Sequence, residues 1–455
     1  MGAEAEKAGI PAISIVSPQF VLFVGTSARA QGVSDLAVSI LPYSVMIGQE
    51  KDVEDACNKA AEEIIFGLTQ WQPKAPKKTK VESLVFQGID YQGAADSMNQ
   101  YFLSQKWGDG LPLIPPTRER VEWLLTGTDL PRDRVVTRRF PPRNGLITVE
   151  KIAVNAAMAG ARPEYMPVLL AAVEALASDA GATIMHFLTN SVTNQAPVLI
   201  VNGPIARELE INSSYGLMGP GWQANATIGR TISLLLINGA GAYFGPGGNL
   251  ACQSIPGRYS WCFAENEETS PWQPLHVERG YAAEASTVTI LPGKGTHLIF
   301  LQPPVEHILN MIVHAVQGIS AREFGVPWDQ LLVLCPSHAQ ALADAGYSKQ
   351  AIQDYVFEHA RISLAEGEAT GFIFRQSPGW AKRIEGVADK RNTMIPKTEK
   401  PEDLQIIVAG GQNCVSSTLI PGLCTMVTGD IDKYKPGAWH QLIEAARMAR
   451  SGRPA

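Results

Sequence analysis

The spacing of apolar residues changes character several times along the chain, and each change predicts an element or a boundary. Ala12 to Val16 is an apolar run of strand length, Phe20 to Ala30 and about Val53 to Leu68 repeat at helical spacing, and Gly32 breaks the pattern between them. Residues 1–71 therefore predict a small, incomplete α/β unit. So few strands cannot bury both faces of a parallel sheet, so the unit has to dock on the rest of the chain or on another protein. At Gln72 to Lys80, QPKAPKKTK carries two prolines and four lysines with no apolar period, which predicts a solvated linker.

From 81 to 380 helical and extended patterns alternate, as in a large mixed α/β domain. Thr148 is a good N-cap for TVEKIAVNAAMAG, which should stop at Gly160, and Pro163 opens PEYMPVLLAAVEALAS. Strands are expected at Pro197 to Val201, at Leu331 to Cys335, and at Ser286 to Leu291, the last joined through Pro292-Gly293-Lys294-Gly295 to Thr296 to Leu301 as a hairpin. Residues 381–403, rich in Lys, Arg and Pro, are expected to be a second linker. LQIIVAGG then reads as a buried strand, and 404–455 ends in a helix from Ala438 to Arg450. This C-terminal segment is too short for a core of its own; one arrangement has it complete the small N-terminal unit.

Composition narrows the function classes. With 455 residues, 45% of them hydrophobic and 18% charged, the chain can bury a large core. The net charge of −6 leaves no electrostatic footprint for nucleic acid or an anionic membrane, and no apolar stretch approaches the roughly 20 residues that span a bilayer. Six cysteines without a Cys-x-x-Cys pair fit a reducing, cytoplasmic setting better than a disulfide scaffold.

Two neighbouring segments carry the candidate chemistry. In INSSYGLMGPGWQANATIGR, a loop with Gly219 and Gly221 runs into a helix with Asn225 as the expected N-cap, and exposed N–H groups there would make an anion site. Arg230, one to two turns on, could fork onto a carboxylate or phosphate, and Lys151 is a further substrate-binding candidate. Downstream, a long glycine-rich stretch without clear periodicity holds Cys252, Cys262, Glu265, Glu267, Glu268, His276 and Glu278. Thiol, carboxylate and imidazole supply acid–base or nucleophilic chemistry, so Cys252, Cys262, Glu265 and His276 are the catalytic candidates. A divalent metal, if one is used, would fall to His276, Glu265 and Glu268, although no standard metal-ligand spacing is present. WGDGLPLIPPT is expected to be a rigid wall or access loop, and AGGQNC a strand-to-loop anion nest.

EAEKAGIPAISIVSPQFVLFVGTSARAQGVSDL resembles the part of a UGSC (seleno)protein domain that follows its redox motif. WGDGLPLIPPT, TVEKIAVNAAMAG, GPGWQANATIGR and AENEETSPWQPLHVERG resemble the large domain that accompanies it. The resemblance implies thiol or selenol chemistry, as in the selenoprotein subunits of glycine and betaine reductases, yet no Cys-Gly-Ser-Cys occurs in the chain. Either that chemistry is lost or a separate polypeptide supplies it. The expectation is an enzyme subunit, oxidoreductase-like or a lyase, acting on a small anionic substrate within a hetero-oligomer that supplies the redox motif, or within a homo-oligomer. The alternatives are a metal-assisted lyase or hydrolase and a non-catalytic scaffold that activates a redox partner.

Overall fold

The computed structural model describes residues 2–30, 33, 36–42, 50–72, 84–300, 304–318, 328–369 and 384–450. Its strands, in chain order, are β1 (Ile13–Val16), β2 (Ala37–Ile40), β3 (Val135–Phe140), β4 (Gly145–Thr148), β5 (Ala196–Asn202), β6 (Cys262–Ala264), β7 (Thr287–Gly293), β8 (His297–Phe300), β9 (Gln330–Leu334), β10 (Arg361–Ser363), β11 (Met394–Pro396), β12 (Leu404–Val408), β13 (Ser416–Pro421) and β14 (Val427–Asp430). The mixed α/β class expected from the sequence holds.

Two four-stranded sheets make the centre, ordered β6-β5-β7-β14 and β12-β9-β13-β8. In each, the first two strands are parallel and the next two neighbours antiparallel. Because strand side chains alternate between faces, β5 sends Val198 and Ile200 toward the second sheet and Leu199 and Val201 toward helices. β9 does the same, with Leu331 and Val333 meeting the first sheet and Leu332 and Leu334 facing helices. The result is four layers, helix–sheet–sheet–helix, in which strands buried on both faces read as unbroken apolar runs. Each fully buried Leu, Ile, Val or Phe here contributes about 1.5–3 kcal/mol by transfer from water.

The two sheets are built by the same chain path. Helix Met166–Ala177, β5, helix Gln223–Asn238, β6, β7 and β8 are matched by helix Val305–Gln317, β9, the helices Pro336–Asp344 and Lys349–His359, β12, β13 and β14. The last strand of each half crosses over: β8 pairs with β13, and β14 pairs with β7. This corrects the expected hairpin, because β7 and β8 do not pair; the chain leaves β7 at Gly293 for the other sheet, where Lys294 N–H donates to the Pro421 carbonyl at 3.0 Å. It also corrects the C-terminal boundary at 404. β12 to β14 are integral to both central sheets, and helix Trp439–Arg450 docks through ion pairs from Arg450 to Glu164 and Glu210.

The expected linker at 381–403 also carries structure, since β11 pairs with β10 and Ile395 and Asp403 are buried. The linker expected at 72–80 lies outside the described residues from residue 73 onward. The helix Val149–Ala159 begins and ends as its sequence dictates: Thr148 caps Lys151 N–H and Gly160, at φ +82°, ends it. At the N-terminus, β1 and β2 pair in parallel beneath helices Val21–Ala30 and Glu50–Thr69, around a small cluster of Ala3, Val24, Ala28, Val33 and Leu36. Among the described residues, no further strand joins this pair, and no single helix is long and apolar enough to cross a membrane.

Candidate active site

The carboxyl ends of the two parallel pairs meet. Asn266 N–H, just past β6, donates to the Val408 carbonyl of β12 at 2.7 Å, and Gly410 N–H donates to Ser213 O at 2.9 Å. Loops beyond strand carboxyl ends are where open α/β sheets gather their ligand-binding groups, and each strand here delivers polar residues to that edge. β5 ends in Asn202 and Gly203, β6 is followed by Glu265 to Glu268, β9 by Cys335, and β12 by Ala409, Gly410 and Gly411.

Glu265 is the centre of this edge. It is 3% exposed and lines a 240 Å³ pocket with Gly203, Arg207, Ser213, Asn266 and Glu267. Its Oε2 accepts from Asn202 Nδ2 at 2.6 Å and from Leu275 N–H at 2.9 Å, while its Oε1 has no partner among the described residues. Burial pushes the carboxyl up to about 7, against the pull of the Lys349 charge and these two donors. Glu267 Oε1 accepts from Gly203 N–H at 2.7 Å and Asn202 Nδ2 at 3.0 Å, and lies 3.8 Å from Nδ1 of the buried His276. The other ring nitrogen, Nε2, is 3.3 Å from the Ala283 carbonyl. Gly203 makes the turn possible: at φ +84° it brings the chain so close to Ala285 that a Cβ would sit 2.1 Å from that carbonyl oxygen.

The sequence candidates therefore divide. Glu265 and His276 come together with Glu267, but Glu268 turns outward into an exposed ion pair with Arg207. Among the described residues no three His, Cys, Asp or Glu side chains are grouped to hold a metal ion, and Glu268 stands apart from Glu265 and His276. Cys262 lies buried in β6, where burial drives its thiol far above the ordinary range and disfavours the thiolate that a nucleophile needs. Cys252 is exposed on a separate cleft at the other end of β5.

At the predicted anion site the helix start is exposed and uncapped, but Asn225 and Arg230 are both engaged elsewhere. The N-cap is Trp222, without a side-chain cap, and Asn225 sits inside the helix, buried, with Oδ1 accepting from Asn212 N–H at 2.8 Å. Gly219 and Gly221 shape the preceding turn, in which Gly219 N–H donates to Gly216 O. Arg230 is committed: Nε and Nη2 bind Asp109 at 2.7 and 2.9 Å, and Nη2 also reaches the Leu111 and Pro112 carbonyls. Its task is to pin the WGDGLPLIPPT loop. Lys151 is exposed and donates to Leu146 O at 2.7 Å.

Sequence reasoning left out the thiol at the end of β9. Cys335 occupies the N-cap of helix Pro336–Asp344, its N–H donates to Ser417 Oγ at 3.0 Å, and its Sγ donates to the Cys414 carbonyl at 3.2 Å. His338 Nδ1 lies 2.7 Å from the same Ser417 Oγ. Burial raises this thiol, but the side chain and backbone N–H of His338, with Ser417, outweigh it and hold the thiol below its usual range. A usable signal was present in LLVLCPSHA, where a thiol falls at a strand-to-helix junction three residues before a histidine. Asn202 had a weaker one, as the polar end of an apolar strand before Gly-Pro.

The N-terminal unit touches the large domain at the loop after helix Gln223–Asn238, where Thr26 Oγ1 donates to Gly247 O at 3.1 Å. Residues 2–70 match the UGSC family. The UGSC match ends where helix Glu50–Thr69 ends, so it coincides with the small parallel α/β unit. No curated protein and no solved structure matches the chain.

Proposed function

We propose that the chain is an enzyme that transfers protons to and from a small polar substrate held in the 240 Å³ pocket, with Glu265 as the acid–base group. The observation that carries this reading is the Glu265 carboxyl, pushed up to about 7 by burial, with one oxygen unpartnered among the described residues, on a residue that lines a pocket. A group of that kind can accept a proton from carbon or oxygen and return it near physiological pH. Asn202 and Leu275 N–H fix its orientation, and His276, through Glu267, is a positioning residue. Three glutamates and one arginine, itself paired, line the pocket. That favours a neutral or cationic substrate over the anionic one suggested by the sequence, and a lyase or isomerase type of proton transfer. Conversion of small amines and hydroxy compounds in deuterium oxide, followed by mass spectrometry, tests the reading. Wild-type protein should convert or deuterate at least one, with Glu265→Gln slower by about 10²–10⁴; equal rates in both would overturn it.

A thiol reading has its own support in Cys335, whose depressed thiol and His338–Ser417 pair suit nucleophilic or redox chemistry better than Cys252 or Cys262. Loss of a thiol-dependent activity in Cys335→Ser, but not in Cys262→Ser, would favour it. A partner chain is supported by the N-terminal unit, which leaves Ile15 and Ile40 of its two-stranded parallel sheet, and Ile65 and Phe66 of helix Glu50–Thr69, about half exposed. Native mass spectrometry of protein from its own source should show a second polypeptide in fixed ratio; a lone chain or homo-oligomer would refute that part. All six cysteines are unpaired, which suits a reducing compartment such as the cytoplasm.

A further inference from the structure

A second concave site lies at the other end of β5. Seven strand residues at about 3.3 Å each separate the two ends by roughly 20 Å, so this site is not an extension of the Glu265 pocket. Here a cleft of 770 Å³ opens between the loop after helix Tyr91–Ser104, the middle of helix Gln223–Asn238 and the segment from Tyr243 to Tyr259. Leu103, Ile237 and Ile255 supply aliphatic wall, and the rings of Tyr243, Phe244 and Tyr259 supply the rest. The volume is that of a site for a whole small molecule, not a few waters.

Its polar groups define what that molecule carries. Ser233 is 3% exposed and lines the cleft, and among the described residues its Oγ has no hydrogen-bond partner. Arg258 is 8% exposed; it donates to the Leu188 and Gln195 carbonyls and stacks over Phe244 at 5.4 Å, but among the described residues no carboxylate pairs with it. Buried charges are ordinarily paired, so an uncompensated guanidinium on a cleft wall is a place for an anion. Lys106 adds a second cation, its Nζ 4.7 Å above the Tyr243 ring. Among the described residues Asp109 is the one carboxylate in the lining, and it is already neutralised by Arg230. Aromatic walls, two cations and an unused hydroxyl all point to one ligand class.

We propose that this cleft binds a planar aromatic molecule bearing an anionic group, the rings against Tyr243, Phe244 and Tyr259 and the anion toward Arg258, Lys106 and Ser233. The loop that carries Tyr243 and Phe244 is also the loop on which the UGSC-matching unit rests, through Thr26 and Gly247. Occupancy of the cleft and docking of that unit therefore act on one segment.

The experiment uses 1-anilinonaphthalene-8-sulfonate, an aromatic anion, and N-phenyl-1-naphthylamine, the same ring system without the sulfonate. The full chain should bind the sulfonate saturably at one site, and binding should slow maleimide labelling of Cys252, which lines the cleft. Lys106→Glu, at an exposed position, should weaken the sulfonate more than tenfold and change the neutral dye less than twofold. Ile237→Trp, which fills the cleft, should abolish both. Non-saturable binding, unchanged labelling of Cys252, or full sulfonate affinity in either variant would overturn the proposal.

Discussion

Replacing Glu265 by Gln should make the protein more stable at pH 8 and leave it unchanged near pH 4.5. The carboxyl titrates near 4.5 in an unfolded chain and near 7 in the folded one. A raised folded value means that the folded state holds the proton more tightly. Its contribution to stability is thus complete below about pH 4.5, declines as pH rises toward 7, and is gone above that. The interval corresponds to roughly 3 kcal/mol at the ceiling. Glutamine keeps an oxygen for Asn202 Nδ2 and Leu275 N–H and places an uncharged amide where Oε1 now stands unpartnered, so the variant lacks this slope. Urea unfolding of both proteins at pH 5 and pH 8 isolates the effect, because every other titrating group, Asp403 included, is common to the two and cancels in the difference. The gap should open by about 2–3 kcal/mol in favour of the variant between the two pH values. A gap that is the same at both would show that Glu265 does not change charge in this window, and the acid–base reading would fall with it.

Arg230→Met should cost about 3 kcal/mol by stranding Asp109, which is 6% exposed, and should open residues 107–114 to protease; unchanged stability and protease resistance would instead restore Arg230 as a spare anion ligand. Gly203→Ala should cost more than about 4 kcal/mol, because φ +84° and the 2.1 Å approach to Ala285 O both exclude a Cβ, and a soluble variant of ordinary thermal midpoint would refute the turn geometry. Under native conditions maleimide should modify the exposed Cys57 and Cys252, with Cys262 and Cys424 modified only after unfolding; peptide mapping reads this directly, and early labelling of Cys262 would contradict its burial in β6.

Local pattern carried the individual elements well. Thr148 and Gly160 bound their helix as capping rules require, and the apolar runs that became β5, β9 and β12 were recognisable as strands. What local pattern cannot carry is partnership. Pro292 to Gly295 has the residues of a tight turn, and nothing within it says that β8 pairs with β13 instead of β7. The site shows the same division. The irregular stretch after β6 marked Glu265 and His276, but Arg230 looked like an anion ligand until its carboxylate partner, 121 residues earlier in the chain, was in place. Cys262 looked as reactive as any cysteine because burial leaves no mark on one residue of a short strand.

The matched path of the two halves explains why the candidate groups gather on one edge and why they differ. Asn202, the last residue of β5, and Cys335, the first residue after β9, stand at equivalent positions in their halves, as do Glu265 and Ala409 after the neighbouring parallel strands. One half therefore offers an amide and a buried carboxylate, and the other a thiol at a helix start beside a glycine loop. The contact from Asn266 to Val408 holds these two strand ends together without joining their roles. A carboxylate near neutrality needs a dry, enclosed setting, and a depressed thiol needs donors and a helix N-terminus. Those requirements conflict at a single point, and a four-layer fold with two equivalent strand ends satisfies them side by side.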